Sequence, residues 1–178
     1  IISVISTYSV VNNTDPVANF WVENSTAQIS FVNCQATGRL NYNAIGLYIK
    51  DSKNVLAKNN MWCDCKRPIA LDNGSNCVIE DSVYNTAMTC IEPAIYLLNG
   101  SSRNVIRPQC GSPTANVYPA VYGFVGLTSD CHYNVVNCSG IDPTGIQGGS
   151  ANKLKYNGTQ ITATGTFGTN NLASGIMG

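Results

Sequence analysis

Apolar residues in this chain come in short bursts. Runs such as FWV, GLYI, PIAL, AIYLL and VYGFV last three to six residues, and a cluster of Asn, Ser, Thr, Asp or Gly then interrupts them. No window keeps apolar positions at the i, i+3, i+4, i+7 spacing of an amphipathic helix. β-Branched and aromatic residues fill the bursts, and turn-forming residues separate them, so the pattern predicts an all-β chain.

The bursts also repeat. Five segments, opening at Asn19, Gly46, Pro68, Ala94 and Val121, each read as an apolar strand, a tight polar turn, a polar amide and a second apolar strand. Their first-strand anchors are Val22, Ile49, Leu71, Leu97 and Leu127. The amides are Gln28, Asn54, Asn76, Asn104 and Asn134, separated by 26, 22, 28 and 30 residues. A constant motif with variable connections is the signature of a repeat architecture. One such unit cannot bury its apolar face alone, so it must stack on its neighbours. The expected fold is a right-handed parallel β-helix of about five coils over residues 1–138. The amide column should sit at a sharp bend and form a ladder from coil to coil. A Gly/Pro/Ser linker (139–153) and a Thr-rich β segment (154–178) follow, the latter carrying an Asn157-Gly158 hairpin signal.

Segments such as NVLAKNN, GSNCVIEDS and NGSSRNVI resemble the coils of pectate-lyase-like right-handed β-helices, and of bacteriophage tailspikes and capsule or O-antigen depolymerases in particular. The resemblance spans residues 1–140 as a repeat pattern and continues into the linker and Thr-rich segment. It implies a homotrimer, with 154–178 taking part in trimerisation. It also implies an extracellular place on a virion tail and recognition, usually with cleavage, of a bacterial surface polysaccharide by a glycosidase or lyase. Two alternatives stand beside it, a non-enzymatic structural solenoid and a secreted pectinase-like glycosidase. Asn13-Thr14-Asp15 matches one element of a polygalacturonase site, but its paired Asp, Gly-His-Gly and Arg-x-Lys partners are missing.

Charge narrows the partners. Ten acids balance ten bases and only 11% of residues are charged, so no basic stripe exists to bind nucleic acid. No apolar run reaches the ~18 residues of a membrane helix, and no membrane insertion is expected. The chain opens inside a strand-like run (Ile1, Ile2, Val4, Ile5), as a mature piece or a section of something longer does. Among the eight cysteines no Cys-x-x-Cys pair occurs, so neither a metal site nor a cofactor is expected. They should be buried thiols in a reducing compartment, or up to four disulfides in a secreted chain. Six N-x-S/T sequons, at Asn12, Asn24, Asn73, Asn99, Asn137 and Asn157, keep glycosylation open.

Glycoside hydrolysis needs two carboxyl groups about one bond. The repeat alignment sets Lys50 over Asp72, Lys58 over Glu80 and Arg67 over Glu92, which marks those acids as structural partners. Asp64 and Asp81 are then the preferred catalytic acids, with Asp51 in reserve. Trp62 is the expected stacking platform for a sugar ring, Tyr84 its extension, and Lys58 and Arg107 the cations that steer an acidic sugar.

Overall fold

The computed structural model describes residues 5–7, 17–37, 44–63, 65, 67–84, 92–110, 123–143 and 152–176. The first coils contain β1 (Ile5–Thr7), β2 (Val17–Glu23), β3 (Ile29–Val32), β4 (Gln35–Thr37), β5 (Ala44–Lys50) and β6 (Val55–Cys63). The middle coils add β7 (Arg67–Asp72), β8 (Val78–Tyr84), β9 (Ile95–Leu98), β10 (Val105–Ile106) and β11 (Gln109–Cys110). The last contain β12 (Val125–Leu127), β13 (Val135–Asn137), β14 (Leu154–Tyr156), β15 (Thr159–Gln160), β16 (Gly165–Phe167) and β17 (Asn171–Ser174). No α-helix occurs among the described residues.

These strands form a parallel β-solenoid, as the repeats predict. One sheet runs β15-β14-β12-β9-β7-β5-β2 and the other β1-β4-β6-β8-β10-β13-β17-β16, with β3 and β11 joining β6 and β8. Successive coils pair in parallel, at the ~4.8 Å spacing of strands in a sheet. The anchor column is in register throughout: Val22 on Ile49, Ile49 on Leu71, Leu71 on Leu97, Leu97 on Leu127. All five are buried. A second inward column, Leu47, Ile69, Ile95, Val125 and Leu154, runs beside it. From the opposite sheet Ala57, Ile79, Ile106, Val136 and Ala173 close the core.

The amide column needs a correction. Asn54 and Asn76 are exposed and left-handed, with φ of 60° and 54°, and they align with Arg103 and Tyr133, at 56° and 58°. The inward column lies one residue further on, and Cys77, Asn104, Asn134 and Asn171 occupy it. There the expected ladder does form. Asn104 Oδ1 accepts the Cys77 N–H at 2.9 Å, and Asn104 donates its own N–H to Asn134 Oδ1 at 3.0 Å. Asn134 repeats the pattern with Asn171 at 2.9 Å. Each side-chain amide also reaches a carbonyl: Asn104 that of Gly74, Asn134 that of Ser101, Asn171 that of Cys131. The bend would otherwise strand these buried groups, and an unpaired one costs about 1–3 kcal/mol.

The segment after Leu154 joins both sheets. β14 pairs in parallel with β12, and β17 with β13. β15 and β16 then lie antiparallel against them as the last strands of their sheets. The hairpin at Asn157-Gly158 forms as expected, with φ of 46° and 77°.

Candidate functional site

Asp81 and Trp62, expected on the surface, lie in the core. Both are fully buried. β6 carries an irregularity between Lys58 and Met61, where Asn59 turns left-handed (φ 57°) and Asn60 points inward. Asn60 Oδ1 accepts the Cys34 N–H at 2.7 Å, while Asp81 accepts the Asn60 N–H at 3.0 Å and the Trp62 indole N–H at 2.8 Å. This is a second ladder across the coils, ending in a carboxylate. Burial pushes the Asp81 carboxyl above its ordinary range, while the donors from Asn60 and Trp62 oppose the shift. The alternation argument put Asp81 opposite Glu80, which holds, but the inward face was Asp81's. Neither it nor Trp62 can meet a polysaccharide in this structure.

Asp64 lies outside the described residues, as does the side chain of Tyr84, whose backbone closes β8. Asp51 is exposed in a left-handed turn (φ 47°) and accepts the Asn73 side-chain amide at 2.8 Å. Lys58 and Arg107 are exposed, and both reach Glu80, at 3.4 and 2.5 Å. Arg107 foremost, then Lys58, draws the Glu80 carboxyl below its usual range. The Arg67–Glu92 ion pair forms as the repeat alignment implied. Lys50 differs: it is in register with Asp72, yet its ammonium bonds Glu23 at 2.8 Å in the preceding coil. Asp72 is held instead by the Tyr48 hydroxyl at 2.6 Å and the Asn99 amide at 2.7 Å.

The aromatic surface is elsewhere. The residue before each anchor forms a second register column, Trp21, Tyr48, Ala70, Tyr96, Gly126 and Lys155, in which Ala70, Gly126 and Lys155 are buried and the three rings reach the surface. Trp21 is half exposed, and its ring meets Tyr48 edge to face at 4.9 Å. Arg67 stacks over Tyr96 at 5.5 Å. Where Gly126 interrupts the column, a hollow of about 210 Å³ opens, lined by Tyr96, Pro93, Thr128, Lys155, Asn157 and Gly158 among others. Gly126 is there of necessity, because a Cβ would come within 2.4 Å of the Pro93 ring. The arrangement offers ring faces for stacking, with hydroxyl, amide and ammonium groups beside them. The signal for this track was present in the sequence: the residue preceding each anchor reads Trp, Tyr, Ala, Tyr, Gly.

Three sequon residues, Asn24, Asn73 and Asn99, follow the first strands in left-handed turns. The side-chain nitrogens of Asn73 and Asn99 are bonded to Asp51 and Asp72. Cys77, Cys131 and Cys138 are free and buried, and burial raises their thiols, that of Cys138 to about 12. No group of His, Cys, Asp or Glu able to hold a metal occurs among the described residues. No protein-family model matches this chain, and neither does any curated protein or solved structure searched.

Proposed function

We propose that this chain is a section of a bacteriophage tailspike that recognises bacterial surface polysaccharide, with the Trp21–Lys155 face as its contact surface. The observation that carries this reading is the outward aromatic column. Trp21 and Tyr48 sit one coil apart and Tyr96 two coils further on, so a linear polymer lying along the axis would meet a ring at three coils. Polar groups at the edges of the column, Asp72, Asn99 and Thr128, supply directional contacts, as mostly apolar ligand sites with a few placed polar groups do.

Among the described residues Glu23, Glu80 and Glu92 are engaged by cations, Asp51 and Asp72 by amides and Asp130 by the Thr128 hydroxyl, and Asp81 is buried, which leaves Asp142 as the one described carboxylate outside this account. That observation favours the second reading, a binding solenoid without a catalytic pair of its own among these residues.

The test is affinity electrophoresis of the whole chain through gels containing purified capsular or O-antigen polysaccharides. Retardation by one polysaccharide is expected. Trp21→Ala and Tyr96→Ala should each weaken it about tenfold, the scale of losing an aromatic contact in a recognition site. Lys58→Ala and Arg107→Ala, on the opposite sheet, should leave it unchanged. Binding that survives both aromatic substitutions would remove the face from consideration.

A further inference from the structure

We infer that Asn157 is a site of spontaneous deamidation, singled out by the fold from three Asn-Gly pairs that are chemically alike. These are Asn73-Gly74, Asn99-Gly100 and Asn157-Gly158, each followed by Ser or Thr. In such a pair the Gly amide nitrogen attacks the Asn side-chain carbonyl carbon. A bond forms from nitrogen to Cγ, the Cγ–Nδ2 bond breaks, and the proton lost by the backbone amide leaves with the departing ammonia. Water then opens the five-membered imide at either carbonyl, leaving aspartate or isoaspartate. Glycine presents no side chain to obstruct the attack and permits the backbone rotation it needs.

The coils restrain two of the three pairs. The Gly74 N–H donates to the buried Ser101 Oγ at 3.0 Å, and the Asn73 side chain is tied to Asp51 at 2.8 Å. Asn73 N–H bonds the Leu98 carbonyl of the next coil, and Asn157 N–H likewise bonds the Leu127 carbonyl of the coil before it at 2.7 Å, so the pairs differ in their side chains and at Gly74 rather than at this amide. Asn99 is tied through its side chain to Asp72 at 2.7 Å, and its neighbour Ser101 is buried and bonded to two carbonyls. For either pair to reach the imide geometry, bonds between coils must break first.

Among the described residues no further coil covers the Asn157-Gly158 hairpin in its sheet. It closes a hairpin whose second strand, β15, is the last of that sheet and is paired at two positions only. Asn157 and Gly158 are both exposed, and no described residue bonds the Asn157 side chain. A Cβ at Gly158 would meet nothing within 4 Å, so the turn has room to rearrange. Such edges open at the low end of a protein's range of local stabilities. The pair lines the hollow beside Lys155. Within the reading proposed above, hydrolysis therefore sets a new carboxylate at the rim of the contact face.

The test is to age the folded chain in mildly alkaline buffer and follow it by peptide mapping with fragmentation, alongside an isoaspartate assay. An identical sample aged in urea is the control. In the folded chain Asn157 should convert at least about tenfold faster than Asn73 or Asn99, a ratio worth ~1.4 kcal/mol. In urea the three rates should converge, since the fold alone separates them. Equal rates in the folded chain, or an intact Asn157 beside a converted Asn73 or Asn99, would overturn the assignment. So would a rate order that persists in urea. None of these outcomes depends on whether a polysaccharide binds.

Discussion

At the scale of single residues, the buried bends are governed by which atom donates and which accepts. Asn104 and Asn134 each accept with the side-chain oxygen from the preceding coil and donate with the side-chain nitrogen to a carbonyl of that same coil and to the amide oxygen of the next. Asp81 ends the second ladder, accepting from the Asn60 N–H and amide on one oxygen and from the Trp62 N–H on the other. In Asp81→Asn, one of those donors would face an NH₂ group, a loss of about 1–3 kcal/mol. The pH dependence has a definite sign. Burial raises the folded carboxyl's pKa, so the folded state holds its proton more tightly than the unfolded state does. The resulting stability is complete below the unfolded pKa and is lost as pH rises through the folded one. The advantage of the native chain over Asp81→Asn should therefore narrow from acid toward neutral pH. Denaturant midpoints at several pH values measure it, and a gap that widens with pH would refute the account.

At the scale of the element, each bend is a short stack with a defined foot. Cys77 occupies the ladder position beneath Asn104 and donates its thiol to the Ser75 carbonyl at 3.4 Å, a weak bond where an amide makes several. Cys77→Asn should extend the ladder by one coil and gain about 1 kcal/mol, the net worth of an added buried hydrogen bond. Thermal denaturation checks it, with Cys77→Ala as the reference that supplies neither bond. A Cys77→Asn variant less stable than Cys77→Ala would show that the column cannot accept a further amide.

At the scale of the whole molecule, the two sheets present different surfaces. One carries the aromatic column. The other has Leu56, Val78, Val105, Val135 and Leu172 in register on its outward side, partly or largely exposed, beside the charged run Lys58, Glu80 and Arg107. In the tailspike reading this aliphatic stripe meets neighbouring copies, and the homotrimer implied by the resemblance buries it. Sedimentation of the chain should show association at micromolar concentration, and Val105→Lys with Val135→Lys should reduce it to monomer. Association unaffected by these two changes would place the contact elsewhere.

Much of this architecture was written in the order of residues. Strand, turn and anchor recur along the chain, and Val22, Ile49, Leu71, Leu97 and Leu127 stack as that recurrence demands, because a coil buries its apolar side only against another coil. The hairpin at Asn157-Gly158 was equally legible, since two residues of positive φ are local chemistry. What tertiary structure decided is direction. The sequence shows Asn76 and Asn104 as equivalent amides, yet one points to solvent and the other to the core. A single-residue offset between coils inverts the face of everything that follows, and only the register of pairing fixes that offset. For the same reason Asp81 and Trp62 each read as surface residues and form a buried pair. The irregularity at Asn59-Asn60 turns the strand, and the packed interior, rather than any local pattern, determines which side of it faces water.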